Sequence, residues 1–204
     1  MHPKFDQAIN FFENGNLHES RKLCLEIIKD EPKNFDILHL LGIIAFQTKS
    51  YETSVNFIKK AIKINPNNPE LYKNIAVAYN ELDQFDNALK SCENAIKLNY
   101  NYAEAYNYKG HILVRLNEYK LGIETWKKVL EIKPEYPEVL NNLGNAYTKL
   151  KKFDSALNYY NKSIKLKPDF PDAYINRAFV LSELEKYDYA LEDCNKAIKL
   201  KANF

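Results

Sequence analysis

Prolines and glycines recur in this chain at multiples of one interval. Pro32, Pro66, Pro134 and Pro168 are separated by 34, 68 and 34 residues, Pro69, Pro137 and Pro171 by 68 and 34, and Gly42, Gly110 and Gly144 by 68 and 34. A unit this short cannot bury an apolar face alone, so it must stack against copies of itself. Cutting at that interval divides the 204 residues, with no remainder, into 1–34, 35–68, 69–102, 103–136, 137–170 and 171–204.

Each unit carries the helical period twice. In the fifth, Val139, Leu140, Leu143, Ala146, Tyr147 and Leu150 form one stripe, and Phe153, Ala156, Leu157, Tyr160 and Ile164 form a second after Lys151 and Lys152. Spacings of three and four mark amphipathic helices of about 12–15 residues, too short to be stable without packing. Pro137 and Pro171 suit a first helical position, and the acids that follow them, Glu138 and Asp172, suit the positive end of the helix dipole. Small residues recur at the eighth position (Ala8, Gly42, Ala76, Gly110, Gly144, Ala178) and at the twentieth (Ser20, Ser54, Ala88, Gly122, Ala156, Ala190), where two helices must come close. Twelve helices and no strand are expected. Trp126 shares its position with Cys92 and Tyr160, so the single tryptophan is expected to be buried.

The pattern resembles the tetratricopeptide repeat, whose signature reads Leu140, Leu143, Gly144, Tyr147, Ala156, Tyr160 and Pro168 in the fifth copy. Lys109 and Arg177 replace its usual leucine, and Tyr100 and Ala202 its final proline. The first copy (Lys4, Gln7, Ala8, Phe11) departs furthest. The resemblance implies an all-α, right-handed superhelical solenoid of six helix-turn-helix units, a single array over 1–204. It also implies a concave groove, lined by the first helices, that holds a partner polypeptide.

Composition narrows the function. Lysine plus arginine number 29 against 27 acids, a net charge of +2, so no nucleic-acid or membrane surface is expected. Lys59, Lys60, Lys127 and Lys128 fall on second helices, away from the lining face. No apolar run approaches the roughly 18 residues of a membrane span. The opening Met1-His2-Pro3-Lys4-Phe5-Asp6 lacks a secretory signal's apolar core, and an odd number of cysteines makes no disulfide framework. A cytoplasmic setting is therefore expected. Cys24, Cys92 and Cys194 share the twenty-fourth position, where they read as buried apolar residues and not as nucleophiles. His2, His18, His39 and His111 have no metal-ligand spacing, and no phosphate loop or nucleophile motif occurs. Neither enzyme chemistry nor a metal or cofactor is expected.

The lining positions carry the functional expectation. Repeats one and two place Phe5, Ile9, Phe12, Leu40, Ile43 and Phe46 there, and the later repeats place Asn74, Asn107, Tyr108, His111, Asn141, Asn142, Asn145 and Asn176. Amides both donate and accept, so a file of them can bond an extended peptide backbone whatever its sequence. Asn74, Asn142 and Asn176 match the asparagine ladder in the repeat region of O-linked N-acetylglucosamine transferases. A second reading, a partner-binding N-terminal region of a larger glycosyltransferase- or sulfotransferase-type enzyme, follows from His39-Leu40-Leu41-Gly42, which resembles the opening repeats of such proteins, and from a sequence that ends at a repeat boundary. The carboxylate clamp of chaperone-binding repeats is not matched, because Glu138 or Asp172 stands where a lysine is required. Phe204 stands where Phe170 precedes a further repeat, so the natural array is expected to continue. End-to-end self-association through the uncovered Leu191, Ile198 and Leu200 is expected meanwhile.

Overall fold

The computed structural model describes residues 3–202, so His2 and Phe204 lie outside the described residues. Those residues form twelve α-helices and no strand. The first helices of the repeats are α1 (Pro3–Glu13), α3 (Phe35–Gln47), α5 (Pro69–Glu81), α7 (Ala103–Arg115), α9 (Pro137–Lys149) and α11 (Pro171–Glu183). The second helices are α2 (Leu17–Asp30), α4 (Tyr51–Ile64), α6 (Phe85–Leu98), α8 (Tyr119–Ile132), α10 (Phe153–Leu166) and α12 (Tyr187–Lys201). The chain separates into two compact units, Met1–Tyr108 and Lys109–Phe204. In the first, α1 to α6 pack each on the next, and α3 also lies beside α5. In the second, α8 to α12 do the same, and α9 lies beside α11.

One turn joins the two helices of every repeat. Its fifteenth residue (Gly15, Lys49, Asp83, Asn117, Lys151 or Glu185) is left-handed, with φ between 54° and 75°. The next N–H reaches back to the carbonyl five residues earlier, from Asn16 to Phe11 at 2.8 Å and from Lys152 to Tyr147 at 2.9 Å. The left-handed residue bonds three back, as Lys151 does to Thr148. This double closure satisfies carbonyls that the helix end would strand. Only the first repeat uses glycine for a conformation that costs other L-residues about 1–2 kcal/mol. Lys151→Gly and Glu185→Gly should therefore each raise stability by up to about 1 kcal/mol in urea unfolding. A loss at both sites would show that the turn carries no strain.

The helices of a pair interlock through the eighth and twenty-fourth positions. Where the eighth is glycine, the twenty-fourth is large: Gly42 with Ile58, Gly110 with Trp126, Gly144 with Tyr160. A methyl group on Gly42 would come within 2.6 Å of Ile58 Cγ1, and one on Gly110 within 2.5 Å of Trp126 Nε1. Where the eighth is alanine, the twenty-fourth is cysteine (Ala8 and Cys24, Ala76 and Cys92, Ala178 and Cys194). Volume lost on one helix is returned on the other, as close packing requires. In the first two repeats the twentieth residue adds a bond across the pair, Ser20 Oγ donating to Ala8 O at 2.7 Å and Ser54 Oγ to Gly42 O at 2.8 Å.

Trp126 is buried as its register requires, and so are Cys24 and Cys92. Burial pushes the Cys24 thiol up to about 11, which leaves it unreactive. Cys194 differs from expectation: it is exposed. The slot is closed partly by the first helix of the following repeat, as where Val180 of α11 packs with Tyr160. No described helix follows α12.

Candidate functional site

In the first unit the lining residues make a small polar and apolar site. Asn74 on α5 donates through Nδ2 to His39 Nε2 on α3, at 2.8 Å. The two occupy the sixth and fifth positions of successive copies, brought together because α3 and α5 lie side by side. Next to them is a recess of about 120 Å³, lined by Ile43, Phe46, Ile58, Asn74, Val77 and Tyr108. Burial raises the Tyr108 hydroxyl above its ordinary value, with the Cys92 sulfur adding to the effect. Asn107 is half-buried on α7, while Phe5, Ile9 and Phe12 pack onto the core around Ala8, Cys24 and Leu41.

The second unit repeats the arrangement. Asn176 Nδ2 on α11 donates to Asn141 Oδ1 on α9 at 3.1 Å, the same pair of positions as Asn74 and His39. Asn142 Nδ2 donates to His111 Nε2 at 3.3 Å. The His111 ring meets Trp126 edge-on, with centroids 5.3 Å apart. Two asparagines differ from the open groove that the sequence suggests. Asn141 is only 6% exposed, and Asn145 accepts a 2.7 Å bond from the buried Tyr160 hydroxyl, which also meets Thr148 Oγ1 at 3.1 Å. Both amides are committed inward because the twenty-fourth residue and the neighbouring amide need partners. Conversely, Ile175 and Phe179 are exposed on α11 at the two positions that hold Asn141 and Asn145 one repeat earlier. The 34-residue register gave the means to find them; attention to polar residues alone passed them over.

Both histidines are held neutral. Desolvation by burial is the largest influence on each and lowers its pKa from 6.5; for His39, Lys73 acts in the same direction, while Glu70 and Asp36 oppose it. A neutral Nε2 accepts the amide N–H, whereas a protonated one would present a donor to a donor. Because the folded value lies below the unfolded one, the unfolded chain binds the extra proton first. Stability from these pairs is thus present above the unfolded value of 6.5 and is lost as pH falls below it. Urea midpoints should drop on acidification through this range, and His39→Asn with His111→Asn should flatten the drop. An equal drop in the double variant would place the acid sensitivity elsewhere.

Three of the second-helix lysines lie over aromatic rings or beside an acid: Lys59 over Tyr79, Lys60 over Phe57, and Lys128 paired with Glu131. Two of the acids that open first helices also form ion pairs, Glu138 with Lys167 at 2.9 Å and Asp172 with Lys201 at 3.6 Å. Among the described residues no group of histidine, cysteine and carboxylate side chains could hold a metal ion, and no helix is long and apolar enough to cross a membrane.

A tetratricopeptide repeat family model matches residues 69–101, 137–170 and 171–204, a second matches 35–68, and a further TPR repeat model matches 110–151. The chain belongs to the tetratricopeptide-repeat family. No curated protein sequence matches it. Solved structures share the fold at low identity. PilF from Pseudomonas aeruginosa is 13% identical with a TM-score of 0.81, over 99% of this chain and 96% of that one. MamA from Desulfovibrio magneticus RS-1 is 20% identical with a TM-score of 0.74, over 83% and 96%. YrrB, described as a TPR protein with an unusual peptide-binding site, is 18% identical with a TM-score of 0.66, over 88% and 92%. Chains built of such repeats serve as protein-interaction scaffolds, and that class applies here.

Proposed function

We propose that the first-helix faces of this scaffold hold an extended segment of another polypeptide through its main chain. The observation that carries this is the recurring bond from an asparagine amide to the side chain of the neighbouring first helix: Asn74 to His39, and Asn176 to Asn141. An asparagine amide has two N–H donors and a carbonyl acceptor. The neighbour takes one N–H of Asn74, Asn142 and Asn176, which fixes each amide and leaves the rest for a ligand. Preorganised amides spare a peptide the ordering cost of binding. In the first unit the recess beside Asn74 takes one apolar side chain of a segment bound there; in the second, Ile175 and Phe179 offer apolar contact to a segment bound on that unit. The peptide-binding site of the similarly folded YrrB supports this reading. A second reading, a repeat region of a larger glycosyltransferase- or sulfotransferase-type enzyme, rests on the same Asn74, Asn142 and Asn176 positions and presents a partner on the same face.

A ligand selected from a random peptide library on the immobilised protein provides the test. Replacing Asn74, Asn142 and Asn176 together with alanine should weaken it by at least about tenfold, since each lost bond is worth about 1 kcal/mol. The same change should cost stability about 1 kcal/mol per amide, because these side chains are half-buried and bonded. Affinity is therefore read well below the unfolding transition. Binding that survives the triple change but is lost in Lys59→Glu with Lys60→Glu would place the site on the second helices.

A further inference from the structure

The recess beside Asn74 owes its shape to one short side chain. In the fifth repeat the equivalent space is full. The Tyr160 ring lies over Gly144, and its hydroxyl reaches Asn145 Oδ1 at 2.7 Å and Thr148 Oγ1 at 3.1 Å. In the fourth, the Trp126 indole covers Gly110 and meets the His111 ring edge-on. The second repeat keeps the glycine, Gly42, but covers it with Ile58. Ile43 and Phe46 stand where Asn145 and Thr148 hold the Tyr160 hydroxyl. With no ring to reach them, a recess of about 120 Å³ opens between these residues and Val77, with Asn74 and Tyr108 as polar lining.

Size and charge choose the occupant. An apolar cavity of about 150 Å³ holds a benzene ring. The recess, at about 120 Å³, is smaller than that, and no charged side chain lines it. A leucine side chain suits it and a phenyl ring does not. Beside it, Asp36 and Glu70 both act electrostatically on His39, the partner of Asn74, with Lys73 opposing them. In the second unit the acids at this position are met by a lysine at the thirty-first, Lys167 for Glu138 and Lys201 for Asp172. In the second and third repeats the thirty-first residues are Asn65 and Asn99, which leaves the exposed Asp36 and Glu70 carboxylates to a cation from outside.

We infer that the first unit selects an extended segment that sets a leucine-sized aliphatic side chain into this recess and carries a lysine or arginine close by. The inference rests on the reading that the first-helix face holds a polypeptide segment, and it specifies which segment. Ile58 sets the size of the pocket, and Asp36 with Glu70 sets the charge of the ligand.

Ligands selected from a random peptide library on the immobilised full chain should share a leucine, isoleucine or methionine near a basic residue. One ligand is synthesised with leucine, alanine or phenylalanine at the shared position. On the parent, alanine and phenylalanine should each cost at least about tenfold in affinity. Ile43→Asn with Phe46→Thr and Ile58→Tyr copies the fifth repeat and fills the recess. On that variant the leucine-to-alanine change should cost less than about twofold. Asp36→Asn with Glu70→Gln should weaken binding about threefold at low salt and flatten its salt dependence. Urea midpoints establish that the variants fold; if the filled variant does not, the three peptides on the parent decide alone. Phenylalanine bound as well as leucine, an alanine penalty undiminished in the filled variant, or affinity indifferent to both salt and the charge change overturns the inference. Main-chain recognition fails separately, when alanine at Asn74, Asn142 and Asn176 together leaves affinity intact. A selection that returns no ligand overturns both.

Discussion

Replacing Trp126 with alanine should lower the stability of the second unit by about 3–5 kcal/mol, the usual cost of emptying a large buried aromatic site. Trp126 is 2% exposed and fills the space that Gly110 leaves on the facing helix. The interlock adds a sharper expectation, a change of sign. Gly110→Ala in the parent should destabilise by about 1–3 kcal/mol, because its methyl group enters the indole. The same change beside Trp126→Cys should stabilise, since it recreates the Ala76 and Cys92 pair and removes a glycine from a helix interior. Double-mutant urea unfolding measures this directly. Additive effects would mean that the two positions do not share a volume.

Removing the carboxylate of Asp193 should cost about 3 kcal/mol, near the lower end for breaking a buried ion pair. Asp193 is 4% exposed and receives two bonds from one guanidinium, Arg177 Nε at 2.7 Å and Nη2 at 2.6 Å. Arg177 Nη1 also donates to Asn161 at 2.6 Å. The Asp193 bond holds the Arg177 pKa above its ordinary value against the opposing effect of burial. Asp193→Ala leaves that cation in a partly dry site with one anchor gone. Arg177→Leu with Asp193→Ser, which approximates the Ile75 and Ser91 pair of the third repeat, should recover most of the loss. If the single change proves harmless, the pair is solvated and the sixth repeat is held by apolar contacts alone.

Particular residues show what was legible in the sequence. The period set where the second helices start: each begins at the seventeenth position, from Leu17 to Tyr187. Trp126 followed from register alone. The partnership of the eighth and twenty-fourth positions was also legible, because both series could be read from the chain, but only the close approach of Gly110 to Trp126 shows that they share one volume. The left-handed turn was hidden, since Lys49, Lys151 and Glu185 do not advertise it as Gly15 does. Arg177 was visible only as a departure from leucine, because its partner lies sixteen residues on, at a position where other repeats put Leu23, Phe57 or Tyr159. The candidate asparagines fall on the first helices, as the register requires. Their hydrogen-bond allegiance was not readable: one amide looks like another until Tyr160 claims Asn145 and Asn176 claims Asn141.

Main-chain recognition by the amides is tested most directly on the peptide itself. A selected ligand is synthesised with single backbone N-methyl groups along its length, and in parallel with single alanine replacements, and affinities for the parent protein are compared. Recognition through Asn74, Asn142 and Asn176 requires that some N-methyl groups cost at least about tenfold. Alanine replacements should cost less, except at the one apolar residue that enters the recess. A ligand indifferent to N-methylation throughout, yet abolished by alanine at several positions, would show that side chains are read and that the amide file is not the binding element.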